Sequence, residues 1–333
     1  MVKILLTAIN RYIHVNFFFI IEFRHYYMDI DIPGGFFIMD YTKINKYHGD
    51  LTSSDLCDVV VDAKSHEVPG MQQHAQLLVE DLRDAILNAE TLYYLVSSVT
   101  RTPYLNEHFA VIIFDDRYCA EKYVDKFASL QLDIMDAAAM DYEWLFSYFY
   151  TCGAEAVDYC NERSGVTFGL EYYFLPDSYD SADAPARLFA RFVNLCMQEI
   201  RNEQRVYAQK EHIVTLLKKN IVQSALDTKI FIPVISDASG DKVVHLDAYA
   251  NVVTMSTENN EIFFPVYTSV YEFDIAGTSG IKIAQTSLLS YIEFIEKLAV
   301  NNDKIYGLAV NPEHVNFAMN RGILDIVLSN KSC

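Results

Sequence analysis

At 333 residues, half of them hydrophobic and 14% aromatic with only 12 Gly and 8 Pro, the chain has the composition of a packed globular protein and not of a disordered one. That length accommodates about two to three domains, each with its own core. Forty-five acidic against 26 basic residues leave a formal charge of −19, which disfavours nucleic acid and anionic membrane as partners, because a phosphate surface is held by clustered Lys and Arg.

In chain order, the first apolar run is Tyr12 to Phe23, with Phe17, Phe18, Phe19, Ile20 and Ile21 at its centre. It falls short of the roughly 20 residues that a spanning helix needs, and its β-branched and aromatic content predicts a strand. Met28 and Met39 offer later starts, and part of the first 38 residues is expected not to belong to the native product. Six cysteines (Cys57, Cys119, Cys152, Cys160, Cys196, Cys333) show no C-x-x-C spacing, and no signal peptide precedes them. They read as reduced thiols without disulfides, in a cytoplasmic protein.

Apolar residues at helical spacing from His74 to Asn88 predict an amphipathic helix, and Leu92 to Ser97 a strand. Arg187 to Leu226 carries no Gly or Pro and reads as one helix or two abutting ones, followed by a strand at Ile230 to Ile235. These two helix-strand units align at one offset, 212 − 74 = 138, which sets His74 over His212 and Val96 over Val234. Further on, Phe109 to Phe114 falls over Ile262 to Tyr267 and Val157 over Val310 at 262 − 109 = 153. The 15-residue difference is assigned to a hairpin at Asp241 to Met255. The fold class expected is α+β: two related modules, residues 73–175 and 211–333, after a flank of 1–72 and joined by a helical linker of 176–210. Each is expected to be a sheet covered on one side by its helices.

The second module resembles the amino-terminal domain of the SseB family (enhanced serine sensitivity protein B). Phe231-Ile232-Pro233-Val234, Phe263-Phe264-Pro265-Val266-Tyr267-Thr268-Ser269 and Tyr306-Gly307-Leu308-Ala309-Val310-Asn311-Pro312 carry the resemblance, in the family's order. The first module is a degenerate version, with Asp115-Asp116 for Thr-Ser and Asp158-Tyr159 for Asn-Pro. The resemblance brings no catalytic residues with it and implies a binding role. It places the candidate binding residues at Tyr267, Thr268, Ser269, Asn311, Pro312 and Glu313, on exposed strand ends. On the residues alone, helix capping by Thr268 and Ser269 and a turn at Asn311-Pro312-Glu313 are the default readings.

Other chemistry finds little footing. The nine histidines form no H-E-x-x-H or Cys/His cluster, no G-x-S-x-G elbow is present, and the Gly pairs lack the Lys of a phosphate loop. No metal and no cofactor are expected. Tyr142, Phe146, Phe149 and Tyr150 around Trp144 read as packing residues. The functional expectation is a non-enzymatic protein-interaction module with a protein partner; an acidic neutraliser of a basic toxin or enzyme is the alternative, and an enzyme with a site between the modules ranks last.

Overall fold

Runs of β-branched and aromatic residues become short strands buried along most of their length. Tyr93–Ser97 (β1) and Ala110–Phe114 (β2) show this first in the computed structural model, where no residue of β2 reaches solvent. The structure describes residues 52–65, 71–137, 141–175, 184–235, 243–244, 252–277 and 281–331. The strand expected at Tyr12 to Phe23 and most of the hairpin expected at Asp241 to Met255 lie outside them. The fold class is α+β.

Leu132–Asp136 (β3), Ala156–Cys160 (β4) and Gly165–Gly169 (β5) complete a five-stranded sheet of order β3-β1-β2-β4-β5, in which only β2 and β4 run parallel. Ser53–Ser65 (α1) and Met71–Leu87 (α2) precede it as a packed helix pair. Arg117–Lys126 (α3) follows β2 and covers Leu95, Ile112, Phe114 and Leu132 on one face. The next residue of β1, Tyr94, points to the other face and meets Phe149 of Tyr142–Thr151 (α4), with ring centroids 5.1 Å apart.

The second half begins with Ala184–Arg201 (α6), after the short helix Leu170–Tyr173 (α5), and Lys210–Ala225 (α7). Lys229–Val234 (β6), Val243–Val244 (β7) and Lys282–Ser287 (β10) form one sheet. Met255–Ser256 (β8), Ile262–Val266 (β9), Ile305–Val310 (β11) and Phe317–Asn320 (β12) form another, in the order β12-β11-β9-β8. The two meet where Phe231 and Tyr267 exchange backbone hydrogen bonds of 2.9 and 2.8 Å. Val270–Ile275 (α8) lies against Tyr267 and Ile283 on one side, while α6, α7, Leu288–Ala299 (α9) and Arg321–Asn330 (α10) share a core on the other. Both halves therefore carry helices on both sheet faces and not on one. Strands without polar alternation have no face to give to water, so each face needs a cover.

The long helical stretch ends at Asn202, which is buried and does the work of a helix breaker. Its Nδ2 donates to the carbonyls of Ser129 and Leu130 and its Oδ1 accepts from Arg205 N, so the chain turns without Gly or Pro. The segment expected to link the modules supplies α6, whose Phe189, Val193, Cys196 and Met197 lie in the second core.

The two halves run through the same order of pairings, and the offsets locate where the chain length differs. Tyr93 pairs with Phe114 as Phe231 does with Tyr267, giving 231 − 93 = 138 and 267 − 114 = 153. Asp136 opposite Tyr93 matches Gln285 opposite Phe231, 285 − 136 = 149. Val157 pairs with Phe168 as Leu308 does with Met319, both at 308 − 157 = 319 − 168 = 151. Val157 thus occupies the position of Leu308, two residues from the Val310 expected. A two-residue slip preserves which side chains face inward, so apolar pattern does not register it.

The halves approach closely at Gly153, which follows α4. Its φ is +97°, and a Cβ there would lie 2.5 Å from Arg191 Cβ and 2.7 Å from Arg191 Cα on α6. Gly153→Ala is expected to destabilise the protein by about 3 kcal/mol. Gly169→Ala, with open space around the new methyl, should change it by less than about 0.5 kcal/mol. Urea unfolding midpoints of the two variants check the pair.

Candidate functional site

The elements that carried the family resemblance converge because β9 and β11 are parallel neighbours, with Val266 beside Val310, so their following residues emerge together. Asn311 takes a left-handed conformation, φ 45°, that Asn tolerates better than most side chains. Its N–H donates to Val266 O at 2.9 Å, its Oδ1 accepts from Thr268 N at 3.0 Å, and its Nδ2 donates to Thr268 Oγ1 at 3.0 Å. The reciprocal pair clamps the two strand ends. Ser269 caps α8, its Oγ accepting from Glu272 N at 3.2 Å. Tyr267 packs its ring on Phe273 and donates its hydroxyl to Glu313 Oε1 at 3.2 Å, and burial holds that phenol well above its ordinary value.

These placements correct the expected exposure of the strand ends. Tyr267, Thr268, Ser269 and Asn311 are all buried, at 2–5% of their accessible surface; Pro312 is half-buried and only Glu313 is exposed. Ser269 caps α8 and Asn311 makes the turn, as the capping and turn readings had it, whereas the Thr268 hydroxyl accepts from Asn311 in place of capping the helix.

A second group, a cysteine, a glutamate and a histidine far apart in the chain, meets at the same corner. Glu272 of α8 is buried; its Oε2 lies 3.1 Å from His314 Nδ1 and its Oε1 accepts from Cys152 Sγ at 3.6 Å. Cys152 caps the end of α4, so the thiol contact reaches from the first half to the second. Trp144, earlier on α4, stacks on Tyr148 and meets Tyr271 of α8 edge-on at 5.4 Å. Only Glu272 has a signal in sequence, as an acid in the first turn of a capped helix. The histidine and the cysteine are 314 − 152 = 162 positions apart, and no local pattern joins them.

The order of groups is not that of a nucleophilic site. A cysteine nucleophile needs a base beside it that removes its proton and becomes a cation; here a carboxylate separates thiol from imidazole. Burial, and then the Glu272 charge, push the Cys152 thiol far up, so it stays protonated. The hydrogen bond to Glu272 holds His314 above its ordinary value. The arrangement is a buried carboxylate shared by an imidazole and a thiol donor, an ion pair when the imidazole is protonated, tying α8 to the β11–β12 loop and to α4.

In the first half the matching corner is closed by α1. Ser53 Oγ donates to Asp115, and Asn161 and Ser164 donate to Asp58 Oδ1 at 2.9 and 2.6 Å. Asp116 caps α3 as Ser269 caps α8. Beside the second corner a recess of about 80 Å³ opens between the end of α4, the first turn of α6 and β6, with Thr268 and Ser269 in its wall. Among the described residues no group of His, Cys, Asp and Glu is placed to hold a metal ion. No helix among them is long and apolar enough to cross a membrane.

Comparison of the chain with protein families, with curated proteins and with solved structures gives no match in any of the three.

The His314–Glu272 pair makes stability depend on pH with a definite sign. A histidine whose folded pKa is raised contributes stability that is complete below its unfolded value of 6.5 and is lost as pH climbs through the raised value. Chemical denaturation should therefore show the wild type weakening as pH rises from 6.5, and a His314→Gln variant lacking that slope. At pH 6 the variant should be less stable by about 3 kcal/mol, because Glu272 is left buried without its cation.

Proposed function

We propose that the chain is a non-enzymatic protein-interaction module of the SseB type, built from two copies of one helix-and-sheet fold and acting in the cytoplasm. The matching strand pairings at offsets of 138, 149, 151 and 153 support duplication. The observation that carries the binding role is the corner after β9 and β11. Its side chains fix the backbone through hydrogen bonds between the two strand ends, and this rigid frame presents Pro312 and Glu313 at a rim. A pre-formed rim lowers the ordering cost of association. The thiol, held protonated by burial and then by a neighbouring carboxylate, argues against covalent catalysis at this junction.

The partner is a protein, and the surface it meets is the Pro312–Glu313 rim. Affinity capture from the native cytosol, comparing the intact chain with a Pro312→Ala, Glu313→Arg variant, checks this. One protein held by the intact chain should be reduced at least about tenfold on the variant while far-ultraviolet circular dichroism stays the same. Identical captures from both would remove the rim as the contact surface.

A further inference from the structure

The recess beside the corner gathers several hydrogen-bond donors, against which its wall sets the Gln285 amide and the Thr151 hydroxyl as acceptors. Thr268 Oγ1 already accepts from Asn311 Nδ2, and Ser269 Oγ from Glu272 N, so each hydroxyl still has its own proton to give. Arg187 uses Nη1 on Glu171 at 2.8 Å and Nη2 on the Ala154 carbonyl at 3.1 Å, but its Nε–H is buried without a hydrogen-bond partner. Lys229 at the exposed edge has no ion pair among the described residues. Glu171 balances Arg187, so Lys229 supplies the unmatched charge. The guanidinium is fixed in place by stacking on the Tyr150 ring at 3.4 Å. A buried N–H left without an acceptor costs about 1–3 kcal/mol, a cost that a bound acceptor removes.

Two features narrow the ligand. The one cation of the recess without a carboxylate partner matches the single charge of a carboxylate better than the nearly two charges of a phosphate. The rest of the wall is Phe231, Val270, Ala186 and the Tyr150 ring, with Thr151 and Gln285 as its polar members, and the space admits one small group. We propose that this recess binds a carboxylate carried on a short apolar group, with Arg187, Lys229, Thr268 and Ser269 as its donors. The source is the carboxyl terminus of the protein partner, an assignment that rests on the interaction reading above; a free short-chain acid has the same chemistry.

Isothermal titration of the full chain with N-acetyl-Ala-Ala, its carboxamide, propionate and inorganic phosphate tests this on pure protein. Binding of the free acid and at least about a tenfold loss for the carboxamide are expected, with Lys229→Gln and Ser269→Ala each weakening the acid about tenfold. Ser269→Ala also removes a helix cap, whereas Lys229→Gln alters an exposed residue and keeps the test valid if the other variant fails to fold. Propionate binding as tightly as the peptide would uphold the carboxylate and overturn the peptide source. Phosphate binding more tightly, equal binding of acid and carboxamide, or no binding at all would overturn the carboxylate site. Loss of a captured protein on the rim variant together with no carboxylate binding would leave the interaction reading standing and remove only this one.

Discussion

The described fold depends on one helix that is packed from two sides. α6 puts Phe189, Val193, Cys196 and Met197 into the core of the second half, and turns Arg191, Asn194, Gln198 and Asn202 toward the first. Those four side chains donate to carbonyls that the loops of the first half leave over, at Gly153, Cys152, Pro103, Ser129 and Leu130. A buried carbonyl without a donor costs about 1–3 kcal/mol, so this polar stripe is what allows two sheets to share one helix. Arg191 is the extreme case: buried, bonded to Gly153 O at 2.6 Å and Glu155 at 2.7 Å, and set over the Phe109 ring. Burial lowers its pKa, yet an arginine stays charged in spite of it.

That docking brings the end of α4 against α8, and the chemistry of the candidate corner follows. Cys152 reaches Glu272 because the chain after α4 turns at Gly153, the one residue there that lets α6 approach. Tyr150 and Thr151 at the end of α4 form one wall of the recess in which Thr268, Ser269 and Arg187 sit. Site and interface are one structure: a change in how the halves pack is a change in the shape of the recess. In the first half α1 fills the matching corner through Ser53, Ser54 and Asp58, so its polar groups are bonded within the chain.

Much of this was legible in the residues, for a stated reason. The helix at 74–88 and the strands at 92–97 and 230–235 announce themselves through period and β-branched content, and the structure places α2, β1 and β6 within a few residues of those bounds. The sequence-level capping reading of Ser269 and the turn reading of Asn311 rest on side-chain chemistry that acts within a few residues, and both groups have those roles. The break at Asn202 left no such mark, because its partners Ser129 and Leu130 come from another part of the chain. The exposure of Thr268 and Asn311 was misread for the same reason: small polar side chains look like surface until a neighbouring strand end supplies the partner that lets them be buried.

By itself, the amino-acid order determined the class of the fold, the positions of the main helices and strands, the acidic balance and the local caps, since each is set by the period and chemistry of adjacent residues. Only the tertiary structure decided that both faces of each sheet are covered, that β4 and β11 correspond at 151 and not 153, and that Cys152, Glu272 and His314 meet. Each of these turns on which distant surfaces touch. A two-residue slip leaves the inward pattern intact, and a hydrogen bond across more than a hundred residues has no periodicity to betray it.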